Sequence, residues 1–351
     1  MKIGIITFHW ATNYGAVLQT FALQEVLENM GYDVDIINYK PKQYDDSIYS
    51  FFRFRKFLCL NSYIKNRRKE KSIEKFRVDK LHRTKRYYTE KSLVSLSDEY
   101  NAIITGSDQV MNPSFLMHGE GSASTAYFLG FVRGECKRIA YAVSFGVTEY
   151  PSNLRQKGTE LLKGFSAISV RENTGIDICK SMGYANATLV PDPTLLLDKH
   201  MLHSLLPLRS DKKNSIFVYM LHNRNSFINK LNLLRDTCEF KYSVDEGITE
   251  WLSHIYYSKA MITNSFHGMV FCLHFHIPFV IVLKTATNKG MNDRFFTLLE
   301  CCHLLNRITT ELEFNIDILN IEIDWNFVDE QINQLRKVGV NFLQNSLKNK
   351  G

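Results

Sequence analysis

Long apolar runs are missing from this chain of 351 residues. No stretch of about 18 uncharged hydrophobic residues occurs, which argues against a membrane-spanning helix. A basic leader followed by an apolar segment is also lacking, because Lys2-Ile-Gly-Ile-Ile-Thr7 already reads as a β-strand. A cytoplasmic location is therefore expected. Cysteine pairing is equally hard to find. The seven cysteines (Cys59, Cys136, Cys179, Cys238, Cys272, Cys301, Cys302) are odd in number, scattered and mostly set in apolar segments, as reduced core thiols would be. Cys301, Cys302 and His303 adjoin, but no second cluster offers the other half of a zinc site, so no metal is expected. The glycine fingerprint of dinucleotide binding is absent too. Only Gly15 follows the first strand where three glycines would be needed, which disfavours NAD or FAD.

What is present is the composition of an ordinary globular protein, 45% hydrophobic and 23% charged, long enough for two domains. Its charge of +7 is concentrated. The stretch from Arg53 to Lys91 carries +11, and the remainder sums to −4. Aromatic residues interleave this basic insert of about residues 45–95: Phe51, Phe52, Phe54, Phe57, Tyr63, Phe76, Tyr87 and Tyr88. Such a segment could contact an anionic membrane surface or phosphates, or be a solvated helical excursion with a few apolar anchors. No DNA- or RNA-binding motif accompanies it, so nucleic acid is not expected as a partner.

Taken in order, the chain alternates strands and helices. The first strand leads through an Asn-Tyr-Gly turn into a helix from Gly15 to Met30, stopped by Gly31, and then a strand from Val34 to Asn38. Such a turn offers backbone amides to an anion. Further strands are expected at Tyr100–Thr105, Arg138–Ser144, Phe165–Val170 and Ala187–Val190. Their ends are polar: Gly106-Ser107-Asp108-Gln109 after the first of these, Arg171-Glu172 after the third, and the rigid exit Pro191-Asp192-Pro193 after the last. Asp192 could simply fix that turn. A domain boundary is expected between Leu197 and Asp211, giving an N-terminal domain of about residues 1–200 and a second of about 205–320. The second half repeats the alternation, and residues 325–351 read as a helical tail that could return to the first domain.

The most informative stretch is Ala260 to Val282. A buried strand breaks into the polar turn Asn264-Ser265-Phe266-His267-Gly268, enters an apolar helix, and is followed by a second strand opened by Pro278. This places an imidazole at the carboxyl end of a strand and beside a helix N-terminus, where open α/β sheets bind ligands. The alternative is that Asn264 and Ser265 only cap the helix and His267 fills a hydrogen-bonded niche.

Seven segments together resemble one family, the polysaccharide pyruvyl transferases: TFHWATNYGAVLQTFAL, ITGSDQVMNP, IAYAVSFG, ISVREN, VPDPTLLL, ITNSFHGMVFCLHFHIPFV and NDRFFTLL. The resemblance runs in order from Lys2 to about Leu299. It implies an α/β fold of two Rossmann-like domains facing across a cleft, as in the GT-B glycosyltransferases. It also implies phosphoenolpyruvate as co-substrate, with no further cofactor, and a sugar of a cell-surface polysaccharide or its lipid-linked precursor as acceptor. Many members carry an arginine close to the histidine of this turn, whereas here Phe266 stands beside His267.

Forming a pyruvate ketal requires an acid to protonate the enol methylene, a base for the sugar hydroxyls, and cations for carboxylate and phosphate. His267 is the candidate acid and Asp108 the candidate base. Arg171 and Arg294, with Asn264, Ser265 and Gly268, are the candidate donor ligands. Asn13, Gly15, Gln19, Ser107, Gln109 and Glu172 would line or support the acceptor side. Arg171 and Glu172 could instead be an ion pair at the next helix, and Gly-Ser-Asp also makes Asx turns. Two other functions fit the same scaffold: a glycosyltransferase or sugar-nucleotide-modifying enzyme, and a non-catalytic glycan-assembly protein held at the inner membrane face by the basic insert.

Overall fold

The computed structural model describes residues 1–40, 60–117, 124–206, 215–221, 224–234, 238–242, 246–287 and 289–348. The chain divides into two units, one of Met1–Leu196 with Leu335–Gly351, the other of Leu197–Gln334.

The first unit is built on a six-stranded parallel sheet ordered β2-β1-β3-β4-β5-β6. Its strands are β1 (Lys2–Ile6), β2 (Asp33–Ile36), β3 (Ala102–Asp108), β4 (Lys137–Val143), β5 (Ala167–Val170) and β6 (Thr188–Leu189). Parallel strands covered on both faces need continuous apolar side chains, and Ile3, Ile5, Ile103, Ile104, Ile139 and Val143 are all fully buried. Helix α1 (Tyr14–Asn29) is apolar almost all round and buries most of its length. Helix α2 (Leu60–Lys80) lies in the basic insert. The last helix, Trp325–Leu347, passes from the second unit into the first. A side chain at Gly339 would place its Cβ 2.5 Å from the Tyr141 hydroxyl and 2.8 Å from Leu196, so any larger residue would have to push those buried side chains aside for the helix to pack there.

The second unit carries a five-stranded parallel sheet ordered β11-β10-β9-β7-β8. Here the strands are β7 (Ile216–Tyr219), β8 (Phe240–Tyr242), β9 (Ala260–Thr263), β10 (Phe279–Leu283) and β11 (Ile308–Thr310). Its core joins Ile216, Val218, Phe227, Leu231, Ile262, Val280 and Val282.

Two departures from the sequence expectation matter. The third strand does not end at Thr105: Gly106 pairs with Tyr141 and Asp108 with Val143, so the polar Gly-Ser-Asp run is itself strand. The edge strand β11 was not expected at all, being three residues paired only to β10. Part of the basic insert, including Phe51, Phe52, Phe54 and Phe57, lies outside the described residues. Of its other aromatic residues Phe76 and Tyr87 are buried core anchors, while Tyr88 is exposed.

In each sheet the chain changes direction of travel at one place: between β1 and β3 in the first unit, between β7 and β9 in the second. At such a switch point the connections leave in opposite directions and open a crevice beyond the strand carboxyl ends. Asn13, Gly15, Ser107, Asp108 and Gln109 fall at the first and Asn264, Ser265, His267 and Gly268 at the second, whereas Arg171 and Glu172 follow β5 and Arg294 lies on the helix after β10.

Candidate functional site

In the first unit the switch point is knitted by buried polar groups. Thr7, just after β1, donates its hydroxyl to the Ser107 carbonyl at 3.2 Å. Gln19 of α1 donates to Thr7 Oγ1 at 2.9 Å and accepts from the Ser107 amide at 2.9 Å. Gln19 is fully buried, so it braces the crevice from below and does not line it. Ser107 Oγ lies 2.9 Å from Asp192 Oδ2 and 2.9 Å from the Ala142 carbonyl.

Arg171, at the end of β5, is the hub. Its Nη1 donates to Asp192 at 3.0 Å and its Nη2 to Asp108 at 3.1 Å, and its Nε lies 3.4 Å from Glu172. The side chain is 1% exposed. Burial disfavours the charged guanidinium, but Asp108, Glu172 and Asp192 outweigh it and raise the Arg171 pKa above its ordinary value. One buried cation among three carboxylates is a different setting from the donor-anion ligand expected of Arg171: the net charge around it repels a second anion. Asp192, expected only to fix a turn, is fully buried and also accepts from the Thr194 amide and hydroxyl at 3.0 and 2.7 Å. The Pro-flanked turn hints at rigidity but not at these partners.

Asp108 keeps 19% of its side chain exposed, and its Oδ1 also accepts from the Gln109 amide at 2.9 Å. Its φ of 72° is a left-handed conformation that aspartate tolerates better than most residues. Gln109 packs so closely on Gly146 that a Cβ there would lie 2.7 Å from its Oε1. Glu172 is buried at the N-cap of the helix Asn173–Ser181 without a side-chain cap bond. Asn13 caps α1, its Oδ1 accepting from Gly15 at 2.9 Å and Ala16 at 3.2 Å. The Gly15 amide expected to meet an anion is thus taken by Asn13.

The insert helix holds the β1–α1 loop. Arg77 is buried, donating from Nε to the His9 carbonyl at 2.7 Å and from Nη2 to the Ala11 carbonyl at 2.8 Å, with Nη1 on Glu70 and Glu74. His9 bonds Thr7 O and Asn38 Oδ1, both at 3.2 Å, yet burial outweighs these bonds and lowers its pKa to about 4, with Arg77 and Arg83 adding repulsion.

In the second unit β9 ends at its own switch point. Thr263 donates its hydroxyl to the Tyr219 carbonyl at 2.6 Å, and Asn264 Oδ1 accepts from the Leu221 amide at 2.7 Å, tying β9 to β7. Ser265 N-caps the helix Phe266–Phe275, accepting from the Gly268 amide at 3.2 Å. Gly268 is closely packed: a Cβ there would meet Met261 at 3.0 Å, Thr263 at 3.1 Å and Ser265 at 3.3 Å, so a side chain would require those neighbours to give way by a few tenths of an ångström. The helix therefore starts directly over the end of β9. His267 sits in its first turn, 6% exposed. Phe266 is buried edge-on to the His267 ring at 5.4 Å and to Phe295 at 5.8 Å. Arg294, in the first turn of the helix Asp293–Cys301, lies over the rings of Phe266 and Phe295 at 5.3 and 5.6 Å. Phe266 thus carries a guanidinium on its face.

Within the first unit the structure brings together Ser107, Asp108, Arg171 and Glu172 and adds Asp192. Within the second it brings together Asn264, Ser265, His267, Gly268 and Arg294. Among the described residues no group of three or more His, Cys, Asp or Glu is placed to hold a metal ion. Nor is any described helix long and apolar enough to cross a membrane.

Fold comparison defines the class. A protein assigned as a UDP-N-acetylglucosamine 2-epimerase from Listeria monocytogenes superposes with a TM-score of 0.52 at 9% identity, covering 99% of this chain and 95% of its own. The UDP-GlcNAc 2-epimerase of Neisseria meningitidis, bound to UDP-GlcNAc, gives 0.47 at 11%, covering 98% and 100%. MurG of Acinetobacter baumannii gives 0.42 at 9%, covering 98% and 99%. The chain is a GT-B-like α/β protein with two parallel-sheet domains. No curated protein matches it by sequence. A model of the family described as polysaccharide pyruvyl transferase matches residues 13–283. The chain belongs to that family and is a transferase.

Proposed function

We propose that this protein transfers a pyruvyl group from phosphoenolpyruvate to two hydroxyls of a sugar in a cell-surface polysaccharide or its lipid-linked precursor. The observation that carries this reading is the β9 turn, where His267 and Arg294 are both fixed through the buried ring of Phe266. An acid and a guanidinium held by one ring suit a donor that must be protonated at carbon while its carboxylate and phosphate are held. His267 gives a proton to the enol methylene, and positive charge develops at the adjacent carbon. One sugar hydroxyl adds there and the carbon–phosphate oxygen bond breaks. The second hydroxyl then closes the ketal. Of the two hydroxyl protons one restores His267 and the other leaves with phosphate.

Asp108 is the proposed base for a sugar hydroxyl, since it is the most accessible carboxylate of its cluster. Arg171 acts as a positioning residue that fixes Asp108, and Arg294 takes the donor anion with Asn264, Ser265 and the first turn of the helix. Phosphoenolpyruvate serves as co-substrate, and no cofactor is invoked. The setting is the cytoplasm, with the basic insert bringing the protein to the inner membrane face.

Incubation of the purified protein with phosphoenolpyruvate and a glycan extract, followed by mass spectrometry, tests the reading. Ketal-modified sugar and free phosphate are expected in equal amounts, with a loss of roughly 10²- to 10⁴-fold in His267→Gln. Phosphate release unaffected by His267→Gln would remove the histidine from the reaction.

A further inference from the structure

We infer that a second anion site, for the phosphate of a sugar phosphate, lies in the first unit between the β1–α1 loop and the insert. A pocket of about 500 Å³ opens there, within the range of small-molecule sites and larger than a phosphate alone requires. Four of its lining residues are cations, Lys40, Arg77, Arg83 and Arg86, and two are carboxylates, Glu70 and Glu74. His9 adds no charge at neutral pH, because its pKa is lowered to about 4 by burial. The lining carries a formal net +2, of the size of a phosphate monoester's charge of about −1.5 to −2; Glu70 and Glu74 are paired with Arg77 and Arg83, and outside those pairs stand Lys40, over the Trp10 ring, and Arg86, over the Tyr88 ring.

The cations are held in place by the fold. Arg77 is anchored by the His9 and Ala11 carbonyls as well as by both glutamates. Arg83 makes two bonds to Glu74, at 2.7 and 3.3 Å. The Lys40 ammonium lies 5.2 Å from the centre of the Trp10 ring, and Trp10 is itself fixed by a 2.9 Å bond from its indole N–H to the Tyr127 hydroxyl. The neutral polar groups of the lining are Asn38, whose Oδ1 meets His9 at 3.2 Å, and Thr84, whose hydroxyl accepts from the Asn38 amide at 3.0 Å and donates to the Lys85 carbonyl at 2.9 Å. A pocket so dominated by charge selects an anion over an apolar ligand, and the space beyond the phosphate suits a sugar ring. Naming that sugar phosphate the acceptor rests on the pyruvyl-transfer reading; its binding here does not.

Titration calorimetry of the full chain with glucose 1-phosphate, UDP-glucose and glucose tests the site. Lys40→Met removes one cation. Val78→Glu adds an anion at an exposed lining position where the fold has little at stake. Saturable binding of at least one of the two phosphorylated sugars, but not of glucose, is expected, weakening with salt and falling about tenfold in both variants. A response to glucose 1-phosphate alone marks a monoester site, and a response to UDP-glucose alone a diphosphate site. Absence of binding by both, equal binding by glucose, or affinities unchanged in both variants would overturn the proposal. Phosphoenolpyruvate titrated in parallel on Arg294→Ala separates the two readings: its loss there, with sugar-phosphate binding retained, shows two sites. If phosphoenolpyruvate fails to bind while the Lys40-dependent response persists, the pyruvyl-transfer reading falls and this one stands.

Discussion

The two units fix a guanidinium by different means. In the first unit Arg171 is fixed through its N–H donors, by Asp108, Asp192 and Glu172 in a buried ionic cluster. In the second, Arg294 is oriented through its face, on the rings of Phe266 and Phe295. The first arrangement ties the guanidinium to carboxylates and leaves Asp108 partly exposed; the second places a guanidinium over two aromatic faces. In the proposed function the carboxylates serve the acceptor and Arg294 serves the donor.

The comparison can be broken most sharply at Arg171. Arg171→Met leaves three carboxylates around an uncharged side chain, and a loss of about 3–5 kcal/mol is expected in denaturant unfolding. A loss below about 1 kcal/mol would show that the cluster is not the keystone of the first unit. Arg294→Met, by contrast, should change the unfolding free energy little while weakening phosphoenolpyruvate.

Acid titration gives the next effect. Buried His9 has a folded-state pKa of about 4, below the ordinary 6.5, so the unfolded chain binds its proton first. Its contribution is fully present above pH 6.5 and is lost as pH falls toward 4, on the order of 3 kcal/mol over that window. The Tm of wild type should therefore drop more steeply than that of His9→Gln between pH 6.5 and 4. Parallel acid limbs would show that His9 is already charged in the fold.

Smaller still is the effect of the ring beneath Arg294. Phe266→Leu keeps an apolar core side chain but removes the π-face, a contact of about 0.5–1 kcal/mol at a partly exposed site. KM for phosphoenolpyruvate should rise about two- to fivefold, with a fall in kcat beside it because the same ring meets His267 edge-on. An unchanged kcat would show that Phe266 does not position His267.

Much of this was legible because it is local. The strand Ala260–Thr263, the Ser265 cap and the first-turn histidine all follow from consecutive residues, and the strand bounds were read to the residue. The alternating order of both sheets follows from apolar runs between polar ends. The partnership of Arg171 was not legible, because Asp108 and Asp192 lie 63 and 21 residues away and meet it only through sheet order. Arg77 was hidden in a basic run, where its count among surface charges gave no sign of a buried clamp on the His9 and Ala11 carbonyls. Gly106-Ser107-Asp108 looked like a loop because polar residues at positive φ seldom continue a strand, and only pairing with β4 made it one.

The most direct test is titration calorimetry of phosphoenolpyruvate into wild type, Arg171→Lys and Arg294→Ala, beside a panel of nucleotide sugars. The account predicts saturable phosphoenolpyruvate binding that falls about tenfold or more in Arg294→Ala and is largely kept in Arg171→Lys. Binding of a nucleotide sugar with no response to phosphoenolpyruvate would contradict it.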